Sequence, residues 1–211
     1  VSKIGLNKEN FSIGESSHPF TSGVSGDVRI TTRFSENNFL ESLMGILHES
    51  GHALYENNLP NNWKWQPVGM AQGMILHESQ ALLIEMQIAR SEEFIQFISP
   101  HIRKFFSSKL DFLSSDNLIY LNRKVSKTNI RVDSDEVTYP VHILIRYELE
   151  KLIISGDLHF EDIPDAWNNK IKKYFNIQVD NNNDGCLQDI HWYAGEFGYF
   201  PSYTMGAIVA S

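Results

Sequence analysis

The chain has 211 residues, of which 42% are hydrophobic and 21% charged, so its composition predicts one packed core, or at most two small ones, and excludes disorder. Its formal net charge of -8 is not interrupted by a basic cluster, which argues against nucleic acid and anionic lipid as partners. The single cysteine, Cys186, excludes an internal disulfide and a thiol-rich metal site, and therefore favours a reducing, cytoplasmic compartment. No apolar stretch approaches the ~20 residues that span a bilayer, so no membrane is expected as a partner.

The two ends of the sequence favour a piece of a longer protein. Val1 to Ile4 has neither an initiator methionine nor the layout of a secretory signal. Tyr203 to Ser211 is an apolar run with no solubilising tail. No repeat, low-complexity tract or linker divides the chain. We therefore expect residues 1–211 to form a single unit that is a fragment of a larger protein.

Near the N-terminus, a period of two residues predicts a strand. The first 26 residues have no sustained period and are expected to form loop with short extended pieces. Within Asp27–Phe34, Val28 and Ile30 alternate with Arg29 and Arg33, which is typical of a half-buried strand with one basic face.

The rest of the chain is predicted to be mainly helical. One helix is expected from Ser35, as N-cap, to about Asn57, and a second from near Gly69 to about Arg90. The second is apolar on most of its circumference and is expected to be largely buried. The later elements are a helix from Glu92 to about Leu113, a helix over Ser115–Leu121, a strand or hairpin over Asn129–Thr138, a helix from Pro140 to about Ile154, a short helix over Ile163–Phe175 and a turn over Asn181–Gly185.

A metal-binding pattern, His48-Glu49-Ser50-Gly51-His52, lies inside the first predicted helix. Histidines four residues apart share one face of a helix and are spaced to chelate one ion. Glu49 lies one position round the helix, where its carboxylate can reach a metal-bound water and act as a general base.

A catalytic zinc usually takes three protein ligands, so a third group is required. Glu78 is the candidate, because it lies in the middle of the second predicted helix, where a buried carboxylate needs a cation. Glu85 is the reserve. The alternative is that both histidines lie at the surface, that Glu78 pairs with an arginine and that Glu85 faces solvent.

Five motifs occur in order along the chain: Asp27-Val-Arg-Ile-Thr31, His48-Glu-Ser-Gly-His52, His77-Glu-Ser-Gln80, Ile130-Arg-Val-Asp-Ser-Asp135 and Gly185-Cys-Leu-Gln-Asp-Ile-His-Trp192. This series resembles the thermostable (Taq-type) metallocarboxypeptidases, and the similarity extends over nearly the whole chain. One departure is Ser134, where the family usually has alanine. The resemblance implies a mainly α-helical, zincin-like groove fold with a small β-sheet next to the metal-binding helix, usually as a homodimer. It also implies that further helices precede and follow this chain.

The resemblance assigns roles to individual residues. His48, His52 and Glu78 would bind one Zn2+ per chain, with Co2+ or Mn2+ as alternatives, and Glu49 would be the base, in agreement with the spacing. Arg131 would bind the terminal carboxylate of the substrate. On the sequence alone, Arg131 could equally pair with a neighbouring aspartate, Asp133 or Asp135.

Weaker candidates complete the predicted site. The resemblance nominates His18 and Tyr203 as donors to the tetrahedral oxyanion, with Tyr199 as an alternative to Tyr203, although a loop histidine and a core or rim aromatic explain them equally well. Arg29 and Arg33 are further candidates for the carboxylate. The polar cluster of Gln188, Asp189 and His191 is expected either to contact substrate or orient the ligand histidines, or to have a purely structural role. Arg146, Glu148 and Glu150 are expected to form helix-surface or interhelical ion pairs.

The sequence therefore predicts a metal-dependent carboxypeptidase that hydrolyses the C-terminal residue from peptides with a free C-terminus. One alternative is a metal-binding or dimerising fragment that has no activity. The other is a zinc endopeptidase with the same site chemistry.

Overall fold

The computed structural model describes residues 4–6, 9, 11–24, 26–36, 38–106 and 111–211. In this part of the chain the fold is mainly α-helical with one small β-sheet, which confirms the predicted fold class. The chain divides into two compact units. The first unit comprises Val1–Asn122 and Met205–Ser211, and the second unit comprises Arg123–Thr204.

The β-sheet belongs to the first unit. Its strands are β1 (Phe11–Glu15), β2 (Phe20–Val24) and β3 (Asp27–Thr32), in the spatial order β1-β3-β2. The central strand β3 pairs in parallel with β1 and antiparallel with β2. The alternation predicted for β3 is confirmed, since Val28 and Ile30 are buried whereas Arg29 is exposed.

Most of the regular secondary structure in the described residues is α-helical. The helices are α1 (Phe39–Asn57), α2 (Met74–Leu82), α3 (Glu92–Phe105), α4 (Ser115–Arg123), α5 (Tyr139–Ser155), α6 (Ile163–Phe175) and α7 (Pro201–Ala210). A π-helical segment, Leu83–Ile88, continues α2. The predicted end of α5 is confirmed, because Gly156 takes the left-handed conformation that terminates the helix.

Two predicted helix starts and one predicted helix end differ from the structure by several residues. The N-cap of α1 is Asn38 and not Ser35, because the side-chain oxygen of Asn38 accepts a hydrogen bond from the backbone N–H of Glu41. The predicted second helix does not begin near Gly69, because Pro67–Gly69 forms a separate 3-10 turn. The helix predicted to reach Leu113 ends at Phe105, and residues 107–110 of that prediction lie outside the described residues.

The prediction that the second helix is largely buried is also wrong. Several apolar side chains on it, including those of Met74 and Leu76, are exposed. Its buried positions include two polar residues, Glu78 and Ser79. The apolar character of this helix therefore did not indicate which of its faces is buried in this chain.

The strand or hairpin predicted over Asn129–Thr138 is absent, and turns take its place. Side chains satisfy the backbone here in place of a strand ladder. The carboxylate of Asp135 accepts hydrogen bonds from the backbone N–H groups of Ser126, Val137 and Thr138. This loop holds Arg131 next to polar partners from the same unit.

Each unit has its own hydrophobic packing. In the first unit, Val28 and Ile30 of the sheet pack against Leu6 and against Ala53 of α1. In the second unit, α5 and α6 enclose Ile145, Leu149, Trp167 and Ile171. Within the described residues, no helix is both long and apolar enough to cross a membrane.

Candidate metal centre

Two helices of the first unit bring the three predicted ligands together. Nε2 of His48 on α1 lies 4.0 Å from Oε1 of Glu78 on α2, and Nε2 of His52 lies 3.7 Å from Oε2 of the same carboxylate. The donor atoms of the three residues all lie within 4.8 Å of one another. One ion at the point where they converge could therefore contact all three residues.

The close approach of these helices depends on Gly51. A Cβ atom at this position would lie 2.4 Å from the carbonyl oxygen of Gln80 and 2.5 Å from Cα of Ala81. These contacts are with backbone atoms, which have little freedom to move aside. A glycine between the two histidines therefore lets α2 approach α1 closely enough for Glu78 to face them.

A carboxylate contacts the outer nitrogen of His48, which is Nδ1, the ring nitrogen that does not face Glu78. Nδ1 of His48 lies 2.9 Å from Oε2 of Glu85, and Oε1 of Glu85 accepts a hydrogen bond of 3.4 Å from Arg90. Glu85 belongs to the π-helical segment, a local geometry that often occurs at functional sites. An N–H on Nδ1 leaves the lone pair of Nε2 facing Glu78, as a metal ligand requires.

The backbone of α2 holds the outer nitrogen of His52. Nδ1 of His52 lies 3.0 Å from the carbonyl oxygen of His77, the residue before Glu78. A carbonyl oxygen can only accept, so Nδ1 of His52 is the donor and Nε2 carries the lone pair. When each imidazole is neutral, both histidines therefore direct the lone pair of Nε2 towards the same carboxylate.

The charges at this site favour a bound cation. Burial lowers the pKa of His48, but its hydrogen bond with Glu85 and the charges of Glu78, Glu85 and Glu49 outweigh burial and raise that pKa to about 9. Burial, followed by the charge of His48, lowers the pKa of His52 to about 3. The surrounding carboxylates thus favour a positive charge at this site. Two imidazole nitrogens and one carboxylate form a donor set that suits a divalent transition metal, so the residues fit the metal that the sequence predicts.

The predicted base lies beside this donor set. The side chain of Glu49 is buried, and its Oε2 accepts a hydrogen bond of 2.6 Å from Oγ1 of Thr21 on β2. The hydroxyl of Thr21 also lies 3.1 Å from the backbone carbonyl oxygen of Glu49. The edge strand of the sheet therefore fixes the orientation of the Glu49 carboxylate.

The second unit contains a buried group of polar residues around two arginines. Arg131 donates from Nε and Nη2 to Oδ1 of Asp189, at 2.9 and 2.8 Å, and Arg146 donates from Nε to Oδ2 at 2.6 Å. Gln188 accepts from the backbone N–H of Arg131 and from Nη2 of Arg146. Nη1 of Arg131 donates to the hydroxyl of Tyr139 at 2.7 Å. These five residues form what we call the arginine cluster.

Comparison with known proteins decides the family. A family model described as "Carboxypeptidase Taq (M32) metallopeptidase" matches residues 1–211. The chain belongs to the M32 metallopeptidase family. The resemblance stated from the five motifs is therefore confirmed.

Individual carboxypeptidases are similar to this chain over nearly its whole length. Carboxypeptidase 1 of Bacillus subtilis is 38% identical over 100% of this chain and 42% of its own length. Thermostable carboxypeptidase 1 of Thermus thermophilus is 40% identical over 100% of this chain and 41% of its own length. The solved structure of Trypanosoma cruzi metallocarboxypeptidase 1 superimposes with a TM-score of 0.94 at 41% identity, over 99% of this chain and 44% of that chain. This chain thus spans about two fifths of the length of these carboxypeptidases.

A cavity of about 500 Å³ lies beside residues that contact Glu49 and His52. Thr21, which holds Glu49, and His77, which holds His52, both line it. Lys64 and Trp65 line the same cavity. Its volume is in the range of sites that bind small molecules or parts of peptides.

The remaining predicted residues differ in their surroundings. His18 is exposed, and its Nδ1 lies 2.7 Å from the carbonyl oxygen of Pro19. Arg29 forms an exposed ion pair with Asp27 at 2.9 Å. Arg33 pairs with Glu41 on α1.

In the second unit, the remaining candidates lie close together. Nε2 of His191 lies 3.0 Å from the hydroxyl of Tyr203, and the guanidinium carbon of Arg131 lies 4.9 Å from the centre of the Tyr203 ring. The ring of Tyr199 is tilted against that of His191, with ring centres 5.3 Å apart. Gln188 and His191 are therefore placed beside Arg131 and Tyr203. The partners at the outer nitrogens of the ligand histidines are instead Glu85 and His77.

Two buried charged residues have partners that the sequence did not indicate. Arg146 and Glu150 are buried and not on a helix surface, whereas Glu148 forms the expected interhelical pair with Lys170. Arg146 pairs with Asp189, and Glu150 accepts from the indole N–H of Trp192 and the backbone N–H of Gly198. Because these partners lie about 40 residues from Arg146 and Glu150, local periodicity could not identify them.

Proposed function

We propose that this chain carries the metal centre and the carboxylate-binding site of a metallocarboxypeptidase that removes the C-terminal residue from peptides. The observation that carries the proposal is the convergence of His48, His52 and Glu78 beside the buried carboxylate of Glu49. Membership of a metallopeptidase family, and the names of the similar carboxypeptidases, support it. The proposed activity is that of the whole protein, and this chain supplies the residues described above.

The metal proposed for the site is one Zn2+ per chain, with Co2+ or Mn2+ as alternatives for the same ligands. His48 and His52 would bind it through Nε2, and Glu78 through its carboxylate. When bound, a divalent ion at this position supplies Lewis acidity and lowers the pKa of a bound water. Glu85 and His77 hold the imidazoles in the tautomers that binding requires.

Glu49 is assigned the transfer of the proton. Its carboxylate would accept a proton from the attacking water and pass it to the leaving amine, as a general base and then a general acid. The hydrogen bond from Thr21 leaves the other carboxylate oxygen of Glu49 for this transfer. His18 and Tyr203 are proposed as donors to the tetrahedral oxyanion.

Arg131 is assigned to the terminal carboxylate of the substrate. A planar guanidinium group suits two parallel hydrogen bonds to a carboxylate, and Asp189 and Tyr139 fix this group in the arginine cluster. Gln188 and His191 support this site, since Gln188 holds the backbone of Arg131 and His191 bonds to Tyr203. Arg29 remains a weaker candidate for the carboxylate. The proposed partners are peptides with a free C-terminus and a second copy of the protein, and the proposed location is the cytoplasm.

A pair of peptides tests the proposal. The substrates are a short peptide with a free C-terminus and the same peptide with an amidated C-terminus, and the cleavage products are identified by mass spectrometry. We expect release of single residues from the free peptide alone. Glu49→Gln should lower the rate by at least about 100-fold while the metal remains bound, because the carboxylate is assigned to proton transfer and not to the metal.

Other results would contradict this proposal. Internal cleavage of the amidated peptide would indicate an endopeptidase. Loss of the metal in Glu49→Gln would remove the base assignment. One tightly bound metal without any cleavage would indicate a metal-binding fragment.

A further inference from the structure

His52 has a second neighbour at its outer nitrogen besides the carbonyl oxygen of His77. Nδ1 of the His77 imidazole lies 2.7 Å from Nδ1 of His52. On its other side, Nε2 of His77 lies 2.9 Å from Oε1 of Glu56. Glu56, His77 and His52 therefore form a continuous chain of hydrogen bonds, which we call the imidazole relay.

The chemistry of the groups fixes the direction of this relay. A carboxylate oxygen can only accept, so Nε2 of His77 carries the hydrogen that is donated to Glu56. A neutral imidazole has one donor and one acceptor, so Nδ1 of His77 carries a lone pair. Only one hydrogen fits between the two Nδ1 atoms, and it therefore belongs to His52. Nε2 of His52 then carries the lone pair that faces Glu78.

Packing holds the relay in place. Glu56 lies four residues after His52 on α1, so both side chains lie on the same face of that helix. The rings of His52 and His77 are 4.5 Å apart, and the ring of Tyr55 meets His77 edge-on at 5.4 Å. The side chains of His77 and Glu56 are only 16% and 30% exposed. His77 also precedes Glu78 in the chain, so a single segment of α2 carries one ligand and orients another.

We propose that His77 and Glu56 are positioning residues of the metal centre, which select the tautomer of His52 that offers Nε2 to the ion. The inference rests on the proposed function, because it assigns a purpose to the orientation of a proposed ligand. It extends that function, since His48 is oriented by one carboxylate directly, whereas His52 is oriented by a carboxylate through a second imidazole. The competing explanation is that the backbone carbonyl oxygen of His77 orients His52 alone.

Metal affinity separates these explanations. The affinity for Co2+ would be measured by competition with a chelator for the unmodified chain and for His77→Leu and Glu56→Leu. The proposal predicts that each variant binds Co2+ about 10-fold to 100-fold more weakly, the range found when partners of ligand histidines are removed. His77→Gln should recover part of the affinity, because its amide has both an acceptor and a donor.

A matched control is Tyr55→Phe. This variant keeps the ring contact with His77 and loses only a hydroxyl, which accepts a hydrogen bond from the backbone of Gln72. Its affinity for Co2+ should be unchanged. Nitrogen NMR of the metal-free protein gives a second readout, with hydrogen expected on Nδ1 of His52 and on Nε2 of His77. In Glu56→Leu we expect a mixture of tautomers at His77.

Each result bears on one claim. Unchanged affinity in both leucine variants would overturn the relay and leave the backbone carbonyl as the orienting group. Equal losses in His77→Leu and His77→Gln would show that packing, not hydrogen bonding, is responsible, and would also overturn it. Hydrogen on Nε2 of His52 in the metal-free protein would overturn it without any metal measurement. An unmodified chain that binds no Co2+ would instead overturn the metal centre itself.

Discussion

The metal centre of the first unit and the arginine cluster of the second unit are both buried, but their charges are opposite in sign. In the first, burial lowers the pKa of His48, but Glu85, Glu78 and Glu49 outweigh burial and raise that pKa to about 9. In the second, two guanidinium groups pair with the same carboxylate, that of Asp189. Burial and the charge of Arg131 lower the pKa of Arg146 to about 10, although Asp189 opposes them.

The comparison shows what each site can bind. Burying charge without compensation is costly, so a site that keeps an imbalance is suited to a ligand of the opposite charge. The first site has converging acceptors and suits a cation. The second has more guanidinium donors than carboxylate acceptors within its ion pairs and suits an anion such as a peptide carboxylate. A metallocarboxypeptidase needs one site of each kind.

The largest effect is expected at the contact between α1 and α2. Gly51→Ala should destabilise the protein by about 3 kcal/mol or more and abolish metal binding, because its Cβ would meet the backbone of α2. Urea unfolding and metal content measure the two effects. Gly45→Ala on the same helix is the control. Its Cβ would lie 3.3 Å from the Thr32 hydroxyl, so its stability should change by no more than about 1 kcal/mol. Equal effects of the two variants would contradict the role of the close approach.

The next largest effect is expected at the arginine cluster. Arg131→Met should raise KM for peptides with a free C-terminus by about 10-fold to 100-fold, since it removes a charge-assisted hydrogen bond. Metal content should not change. Arg29→Met tests the weaker candidate and should leave KM unchanged, because Arg29 is exposed and paired with Asp27. If KM rises in Arg29→Met alone, Arg29 on β3, and not Arg131, binds the substrate carboxylate.

A smaller effect on stability is expected when the pH is lowered. It tests whether the buried arginines of the second unit disfavour the protonation of His142. Burial and the neighbouring Arg146 lower the pKa of His142 to about 4. The unfolded chain, with a pKa of about 6.5, binds this proton first as pH falls, so stability is lost between about pH 6.5 and pH 4. At pH 5 the loss from His142 should reach about 1 to 2 kcal/mol. The difference in unfolding free energy between pH 7 and pH 5 should therefore shrink in His142→Phe. An unchanged difference would contradict the account.

Much of the metal centre could be predicted from the sequence, because its ligands follow from the spacing of residues within single helices. The spacing of His48 and His52 follows from the helical repeat, and Glu78 was identified as a carboxylate that needed a cation. The orienting groups could not be predicted in the same way. Glu85 reaches His48 from a π-helical segment, which periodicity does not reveal, and His77 bonds to a residue 25 positions away.

The arginine cluster was less predictable, because its partners are distant in sequence. On the sequence alone, a neighbouring aspartate, Asp133 or Asp135, was the alternative partner of Arg131, but Arg131 pairs with Asp189, 58 positions away. Asp135 instead binds backbone N–H groups, and this replaces the predicted hairpin with turns. Pairings of this kind depend on how the chain folds back on itself, which alternation and helical spacing do not encode.

The most direct test of the account is the metal content of the purified chain after equilibration with Zn2+, measured by elemental analysis beside Glu78→Ala and Arg131→Met. We predict one equivalent of zinc in the unmodified chain, its loss in Glu78→Ala and its retention in Arg131→Met. No zinc in the unmodified chain, or zinc retained in Glu78→Ala, would contradict the assignment of the cation site to the first unit.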